Sequence, residues 1–214
     1  MDTRRDLANA VNHALERAGW GQMAGDAITA RVGDGARNLM ENCLAAAAAA
    51  KGSPVPEGCL EGILEDFLRH YGDHCLDESR AYPGVEAALD RLGGYRKAVL
   101  TNKPHEPARK ILAGLGLAGH FETVVGGDGS LGRKPDPAGL RHIMAAAGAG
   151  PGETAVIGDG VQDLRAAQAA GAAFIAFLGG MAPREELLRE IPANSIEAME
   201  ALPEAVDRLG RMAR

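Results

Sequence analysis

The stretch that decides the fold is Ala155-Val156-Ile157-Gly158-Asp159, followed four residues later by Asp163. A short apolar run that ends in a glycine and a carboxylate, with a helical pattern behind it, predicts a buried strand and the start of a helix. In an open parallel sheet, ligands bind at the carboxyl ends of the strands. Two close carboxylates repel unless a cation or a proton separates them, and oxygen ligands favour Mg²⁺. The alternative is a helix-capping acid beside a solvated one.

The rest of the chain divides into two blocks near Tyr82-Pro83-Gly84. Residues 1–80 show only helical periodicity, with apolar faces centred on Leu7–Ala18, Leu39–Leu44 and Ile63–Tyr71. In residues 81–214, short strand-like runs alternate with helical patterns, which is typical of βαβ units and a parallel sheet. The predicted strands are Lys97–Leu100, Thr123–Val125, Thr154–Ile157 and Phe174–Phe177, and the predicted helices are Val85–Leu92, His105–Leu115, Pro137–Ala147, Gln162–Ala170 and the segment from Pro183 onward. We therefore predict an α/β fold with a separate helical block.

Composition excludes several classes of protein. The formal net charge is −6, which argues against a nucleic-acid surface because such a surface needs clustered Lys and Arg. The alanine run from Ala45 to Ala50 is too short to cross a bilayer, so we expect no membrane segment. Widely spaced cysteines suggest reduced thiols in a cytoplasmic protein; they are Cys43, Cys59 and Cys75. His70 and His74 have the spacing of a helical metal pair, but without a third ligand we interpret them as an ordinary surface pair. The oligomeric state cannot be predicted.

Polar groups also follow two other predicted strands. Thr101 and Asn102 end the run Val99-Leu100 and have donors that suit a phosphate oxygen, although such residues often only cap a helix. Lys134 lies in the loop Arg133-Lys134-Pro135-Asp136-Pro137, which its two prolines stiffen. A lysine held near the sheet edge can neutralise a phosphate and the charge of its transition state. The alternative is a solvated loop lysine.

In this order along the chain, the motifs resemble those of the haloacid dehalogenase superfamily of phosphatases, and within it most resemble the phosphoglycolate phosphatase branch. The residues that carry the resemblance are Tyr82-Pro83-Gly84-Val85, Leu100-Thr101-Asn102-Lys103-Pro104, Gly126-Gly127-Asp128, Arg133-Lys134-Pro135-Asp136-Pro137, Ile157-Gly158-Asp159 and Asp163. Val32-Gly33-Asp34-Gly35-Ala36-Arg37 is similar to the substrate loop of that branch, with Asp34 where Asn is usual. The resemblance covers nearly the whole chain.

The resemblance implies a Mg²⁺-dependent hydrolase of a small phosphate monoester, with 2-phosphoglycolate as the leading substrate. It implies a Rossmann-like core in residues 81–214 and a helical cap in residues 1–80, whose loop residues Gly33, Asp34, Gly35 and Arg37 close over the substrate. Thr101 and Asn102 are expected to hold the phosphoryl group, and Lys134 to bridge phosphate and nucleophile. Asp159 is expected to ligate the metal, and Asp163 to support the metal's water shell. The expected partner is a small phosphorylated metabolite.

One part of the family's pattern is not found in this sequence. In this family the nucleophile that attacks the phosphate is the first aspartate of the motif Asp-x-Asp-Gly-Thr-Leu-x-Asp-Ser/Thr. Asp2-Thr3 matches only the last two residues of that motif. Residues 1–3 are therefore interpreted as the remnant of that motif, and the first core strand, which is usually central, is expected to be missing. Its loss should leave two apolar strand edges unpaired. Three explanations are open: Met1 is an internal methionine taken as the start, which we favour; the chain is an inert relative that binds a metabolite or a protein; or it is a purely structural module.

Overall fold

The computed structural model describes residues 1–182, 184–190 and 194–212. The chain separates into two compact units, Met1–Arg80 and Ala81–Arg214. We refer to them as the helical unit and the α/β unit.

The helical unit contains four helices. They are α1 (Arg4–Arg17), α2 (Gly25–Thr29), α3 (Ala36–Lys51) and α4 (Cys59–His74). The long helices lie where apolar periodicity predicts them, because residues such as Leu15, Met40 and Phe67 are almost completely buried. The sequence analysis missed α2, because five residues are too few to show a helical period.

The α/β unit alternates strands with helices. Its elements are α5 (Val85–Arg91), β1 (Ala98–Leu100), α6 (His105–Gly114), β2 (Thr123–Val125), α7 (Ala138–Ala147), β3 (Ala155–Gly158), α8 (Val161–Ala170), β4 (Ala173–Phe177), α9 (Arg184–Glu190), β5 (Ser195–Ile196) and α10 (Leu202–Met212). The four predicted strands and their helices are present. The prediction of helix throughout the carboxyl-terminal segment was wrong at β5, a two-residue strand too short to show a pattern; Pro183 lies outside the described residues.

Strand β4 shows why this unit is an α/β fold. Its side chains alternate between two cores, since Phe174 and Ala176 pack with α8 and α9 whereas Ile175 and Phe177 pack with α5 and α10. A strand with apolar residues on both faces needs helices on both sides of the sheet. All strand pairs are parallel. The predicted α/β fold with a parallel sheet is confirmed.

The strands form two separate sheets. One sheet has the order β1-β2 and the other the order β3-β4-β5. Consequently β1 and β3 each have one edge without a strand partner among the described residues. Ile157, in the middle of β3, is 37% exposed, whereas Ile175, its register partner in β4, is 1% exposed. Ile157 is therefore an exposed apolar side chain on a strand with an unpaired edge, a combination that favours aggregation.

None of the described helices is both long and apolar enough to cross a membrane.

Candidate active site

Thr101 lies directly after β1. Its backbone N–H continues the ladder by donating to the carbonyl oxygen of Val125 at 2.9 Å. Its hydroxyl accepts the N–H of Lys103 at 3.2 Å, so it holds the turn that follows the strand. Thr101 does not cap α6, because the first N–H of that helix, on His105, donates to Asp128 at 2.8 Å. Asp128 therefore has the structural role of a capping acid.

The ammonium group of Lys134 is held by two oxygen atoms of the α/β unit. Its Nζ donates to the carbonyl oxygen of Leu100 at 2.9 Å and to Asp163 Oδ1 at 2.5 Å. The side chains of Lys134 and Asp163 are each only 12% exposed. The alternative of a solvated loop lysine is wrong, because the Lys134 side chain is largely buried and its ammonium group donates to two protein oxygens. The ammonium group thus joins the carboxyl end of β1 to the first turn of α8, which directly follows β3.

The two predicted metal residues have different surroundings. Asp163 is buried and uses both oxygens, since Oδ2 accepts the N–H of Gly160 at 3.0 Å while Oδ1 accepts Lys134. Asp159 is partly exposed, and its Oδ2 accepts the N–H of Met181 at 2.7 Å. The loop after β4 reaches Asp159 because Gly180 has no side chain; a Cβ there would overlap the Asp159 carboxylate.

The side-chain amide of Asn102, which was predicted to bind phosphate, is hydrogen-bonded to the backbone of Lys134. Its Nδ2 donates to the carbonyl oxygen of Lys134 at 2.9 Å, and its Oδ1 accepts the N–H of Lys134 at 2.8 Å. Residue type alone indicated a polar group near this strand end, but not that the amide would be paired with the lysine loop.

The predicted substrate loop belongs to the helical unit. Gly35 precedes α3 with φ 91°, a left-handed conformation that favours glycine. Arg37 makes two hydrogen bonds with Glu61 on α4, at 2.7 and 2.8 Å. Asp34 is exposed and Gly33 is half-buried. The side chain of Arg37 is therefore already engaged by a carboxylate within its own unit.

The α/β unit brings Lys134, Asn102 and Asp163 together with the end of β1. Thr101 directly follows that strand, whereas Asp159 directly follows β3 and its carboxylate contacts the loop after β4. Sequence reasoning missed the carbonyl of Leu100 and the N–H of Met181, which are backbone groups with no signature in residue type. Gly179-Gly180 after β4 was the one available signal for a close approach.

The donor set fits a divalent cation at Asp159 better than at Asp163. Mg²⁺ commonly takes one or two protein carboxylates and completes its shell with water and substrate phosphate. Asp159 Oδ1 can serve as such a ligand, whereas both oxygens of Asp163 are already used. Within the described residues, no group of three His, Cys, Asp or Glu side chains has the arrangement of a metal site.

Comparison with known proteins identifies the family. Residues 2–171 match the model of the haloacid dehalogenase-like hydrolases. The chain belongs to the haloacid dehalogenase-like hydrolase family. A phosphoglycolate phosphatase of Mesorhizobium japonicum is 34% identical over 100% of this chain and 93% of its own length. That of Cereibacter sphaeroides is 38% identical over 89% of this chain and 85% of its own length.

The fold agrees with this assignment. The crystal structure of a predicted phosphoglycolate phosphatase from Haemophilus somnus has a TM-score of 0.89 and 26% sequence identity, covering 95% of this chain and 92% of its own. The resemblance to the haloacid dehalogenase superfamily, inferred from motif order, is therefore confirmed.

Proposed function

We propose that this member of the family is a phosphatase that hydrolyses a small phosphate monoester, with 2-phosphoglycolate as the substrate. The observation that carries the proposal is the Lys134 ammonium group, which is fixed between the carbonyl of Leu100 at the end of β1 and Asp163 in the first turn of α8. A desolvated cation at this edge stabilises negative charge far better than a solvated one. Two relatives that this chain matches over 85% and 93% of their length are named phosphoglycolate phosphatase, which supports this substrate.

In the proposed mechanism, the residues of this chain bind and orient the phosphate. Lys134 offsets the charge of the phosphoryl oxygens, and Thr101 offers the hydroxyl at the end of β1. Asp159 would hold Mg²⁺, which would supply further charge neutralisation. Asp163 keeps the lysine in place. These groups lower the barrier by positioning and by electrostatics, which dominate catalysis of phosphoryl transfer.

The attacking group of the proposed mechanism is an aspartate that forms an aspartyl phosphate, which water then hydrolyses. Three carboxylates of this site already have other partners. Asp159 accepts the N–H of Met181, Asp163 accepts Lys134 and the N–H of Gly160, and Asp128 caps α6. We propose that the aspartate arrives on an additional strand that pairs with the free edges of β1 and β3. Such a strand would end beside Lys134, because the ammonium group contacts the end of β1 and the first turn of α8, the helix that follows β3.

We further propose that the helical unit is the cap that selects the substrate, with Gly33, Asp34, Gly35 and Arg37 in its loop. A cap that closes over a small phosphorylated metabolite excludes water from the reaction. We expect the protein to work in the cytoplasm, in keeping with three cysteines that form no disulfide.

The test is release of inorganic phosphate from 2-phosphoglycolate, a sugar phosphate and pyrophosphate, with and without Mg²⁺. It is run on an extended chain, in which an apolar strand ending in Asp-x-Asp-Gly-Thr-Leu is joined to Met1. We expect 2-phosphoglycolate to be preferred and Lys134→Met and Asp159→Ala each to lower kcat/KM by about 100-fold or more. Preference for another ester would overturn the substrate. Thermal stabilisation by phosphate and Mg²⁺ without turnover would instead indicate an inert binding protein.

A further inference from the structure

The side-chain amide of Asn102 forms a closed pair of hydrogen bonds with the backbone of Lys134. Nδ2 donates to the Lys134 carbonyl at 2.9 Å, and the Lys134 N–H donates to Oδ1 at 2.8 Å. Both lengths are those of good hydrogen bonds. An amide that satisfies both backbone groups of one residue fixes that residue in position and orientation, as a neighbouring strand would.

This anchor is needed because Lys134 lies in irregular chain. The segment between β2 and α7 contains only turns and bends, so no helix or strand fixes its backbone. The lysine side chain has a flexible four-carbon stem, yet its Nζ must reach Leu100 and Asp163 at 2.9 and 2.5 Å. The ammonium group can hold that position only if the Cα from which the stem starts is fixed.

A second contact fixes the turn that carries Asn102. The N–H of Gly127 donates to the carbonyl of Lys103 at 2.9 Å. A Cβ at Gly127 would lie 2.5 Å from the carbonyl oxygen of Asn102, so only glycine allows the two loops to approach this closely. The turn after β1, the turn after β2 and the lysine loop are therefore locked to one another, with Asn102 at the centre.

We propose that Asn102 is a positioning residue whose side-chain amide places the Lys134 ammonium group at the end of β1, and that this amide is not a phosphate ligand. The inference rests on the proposed function only in taking Lys134 as the cation that meets the phosphate. The geometry of the anchor is independent of turnover. Replacing Asn102 should therefore release Lys134 whether or not the chain is active.

The experiment is site-resolved reductive methylation of the native chain with formaldehyde, read by mass spectrometry. The sequence contains five lysines, so each can be followed separately. Lys110 is exposed and serves as the fast reference. We expect Lys134 to react slowly in the parent chain and Asn102→Ala to raise its rate about 5- to 30-fold, the factor that corresponds to losing about 1–2 kcal/mol of anchoring.

The chain offers a matched control in Asn12. Its amide makes the same pair of bonds to the backbone of Met23, at 3.0 and 2.8 Å, within the helical unit. Asn12→Ala removes an equivalent anchor and should leave the Lys134 rate within about two-fold of the parent. Asn102→Asp keeps the acceptor for the Lys134 N–H and loses the donor, so its rate should be intermediate. Asn102→Ser replaces Asn102→Ala if the latter does not fold.

Two results would overturn the inference. An unchanged Lys134 rate in folded Asn102→Ala, with weaker binding of inorganic phosphate, would make Asn102 a phosphate ligand. An equal rise in Asn12→Ala would mean that Lys134 responds to general loosening. Neither result depends on phosphate release, so failure of the proposed function is recognised separately.

Discussion

Lys134 and Asp163 form an ion pair that is largely removed from water, and this sets the consequences of changing either residue. Each side chain is 12% exposed. Removing one partner of a buried ion pair is strongly destabilising, because the other charge then stays buried without an opposite charge beside it.

We predict that Asp163→Ala lowers the free energy of unfolding by about 3 kcal/mol, because it leaves the Lys134 cation buried and removes the acceptor for Gly160. Urea unfolding measures this. The double variant Lys134→Met with Asp163→Ala should recover part of the loss. Glu78→Gln, which breaks the exposed pair between Arg5 and Glu78, should leave the midpoint nearly unchanged; an equal loss would show that burial is not the cause.

The three cysteines differ in burial, and we expect their reactivity to differ accordingly. Burial raises the pKa of the Cys43 thiol to about 11, so it stays protonated and unreactive at pH 8. Cys75 is also buried, whereas Cys59 is partly exposed. We predict that Ellman's reagent modifies Cys59 quickly in the native chain and the other two only after denaturation. Rapid modification of all three in native conditions would contradict the packing of the helical unit.

At the scale of the elements, β1 and β3 each have one edge without a strand partner among the described residues. The prediction of two unpaired apolar edges came from the resemblance, and the division into two sheets agrees with it. That a further strand fills the space stays a proposal.

We predict that Ile157→Thr reduces aggregation, measured by light scattering, because it removes exposed apolar surface while keeping a β-branched side chain. Its effect on stability should be within about 0.5 kcal/mol. Ile175→Thr, the same change at the buried register partner, should cost about 2 kcal/mol or more through a lost methyl group and a buried hydroxyl. Similar losses from both changes would mean that the edge of β3 is covered.

A column of imidazoles joins α1 to α4. His13 stacks on His70 with ring centroids 3.9 Å apart, and His70 on His74 at 4.3 Å. His74 also contacts Asp77 at 2.9 Å. The sequence analysis paired His70 with His74 and missed His13, because a contact between helices has no spacing in the sequence.

We predict that stability falls as the pH drops below about 6.5, the unfolded pKa of histidine. Burial lowers the folded pKa of His70, and His13 and His74 lower it further, against the opposing effect of Asp73 and Asp77. The unfolded chain therefore takes up the proton first, so stability is full above this pH and declines below it. His70→Gln should flatten the profile of Tm against pH between 5 and 7. An unchanged profile in His70→Gln would exclude protonation of His70 as the cause of the pH dependence.

For the whole molecule, the sequence predicted the α/β fold, the strands from β1 to β4 and the family, because apolar periodicity and motif order are local properties. By residue type it also indicated Thr101, Asn102, Lys134, Asp159 and Asp163 as site residues, and their roles stay predictions. It did not predict that Asn102 would anchor Lys134 or that Met181 would bind Asp159, since these contacts arise when distant loops meet. The short elements α2 and β5 were missed because they are too short for their period to repeat.

The most direct test of the account is amide hydrogen exchange at residues 98–100 and 155–158, compared between the chain as it stands and the extended chain. Along each strand, alternate amides already bond to β2 or β4. We predict that the amides facing the unpaired edges exchange quickly in the first protein and become protected in the second, in step with the appearance of phosphatase activity, because the added strand pairs with both edges. Equal exchange in the two proteins, with the extended chain active, would contradict it.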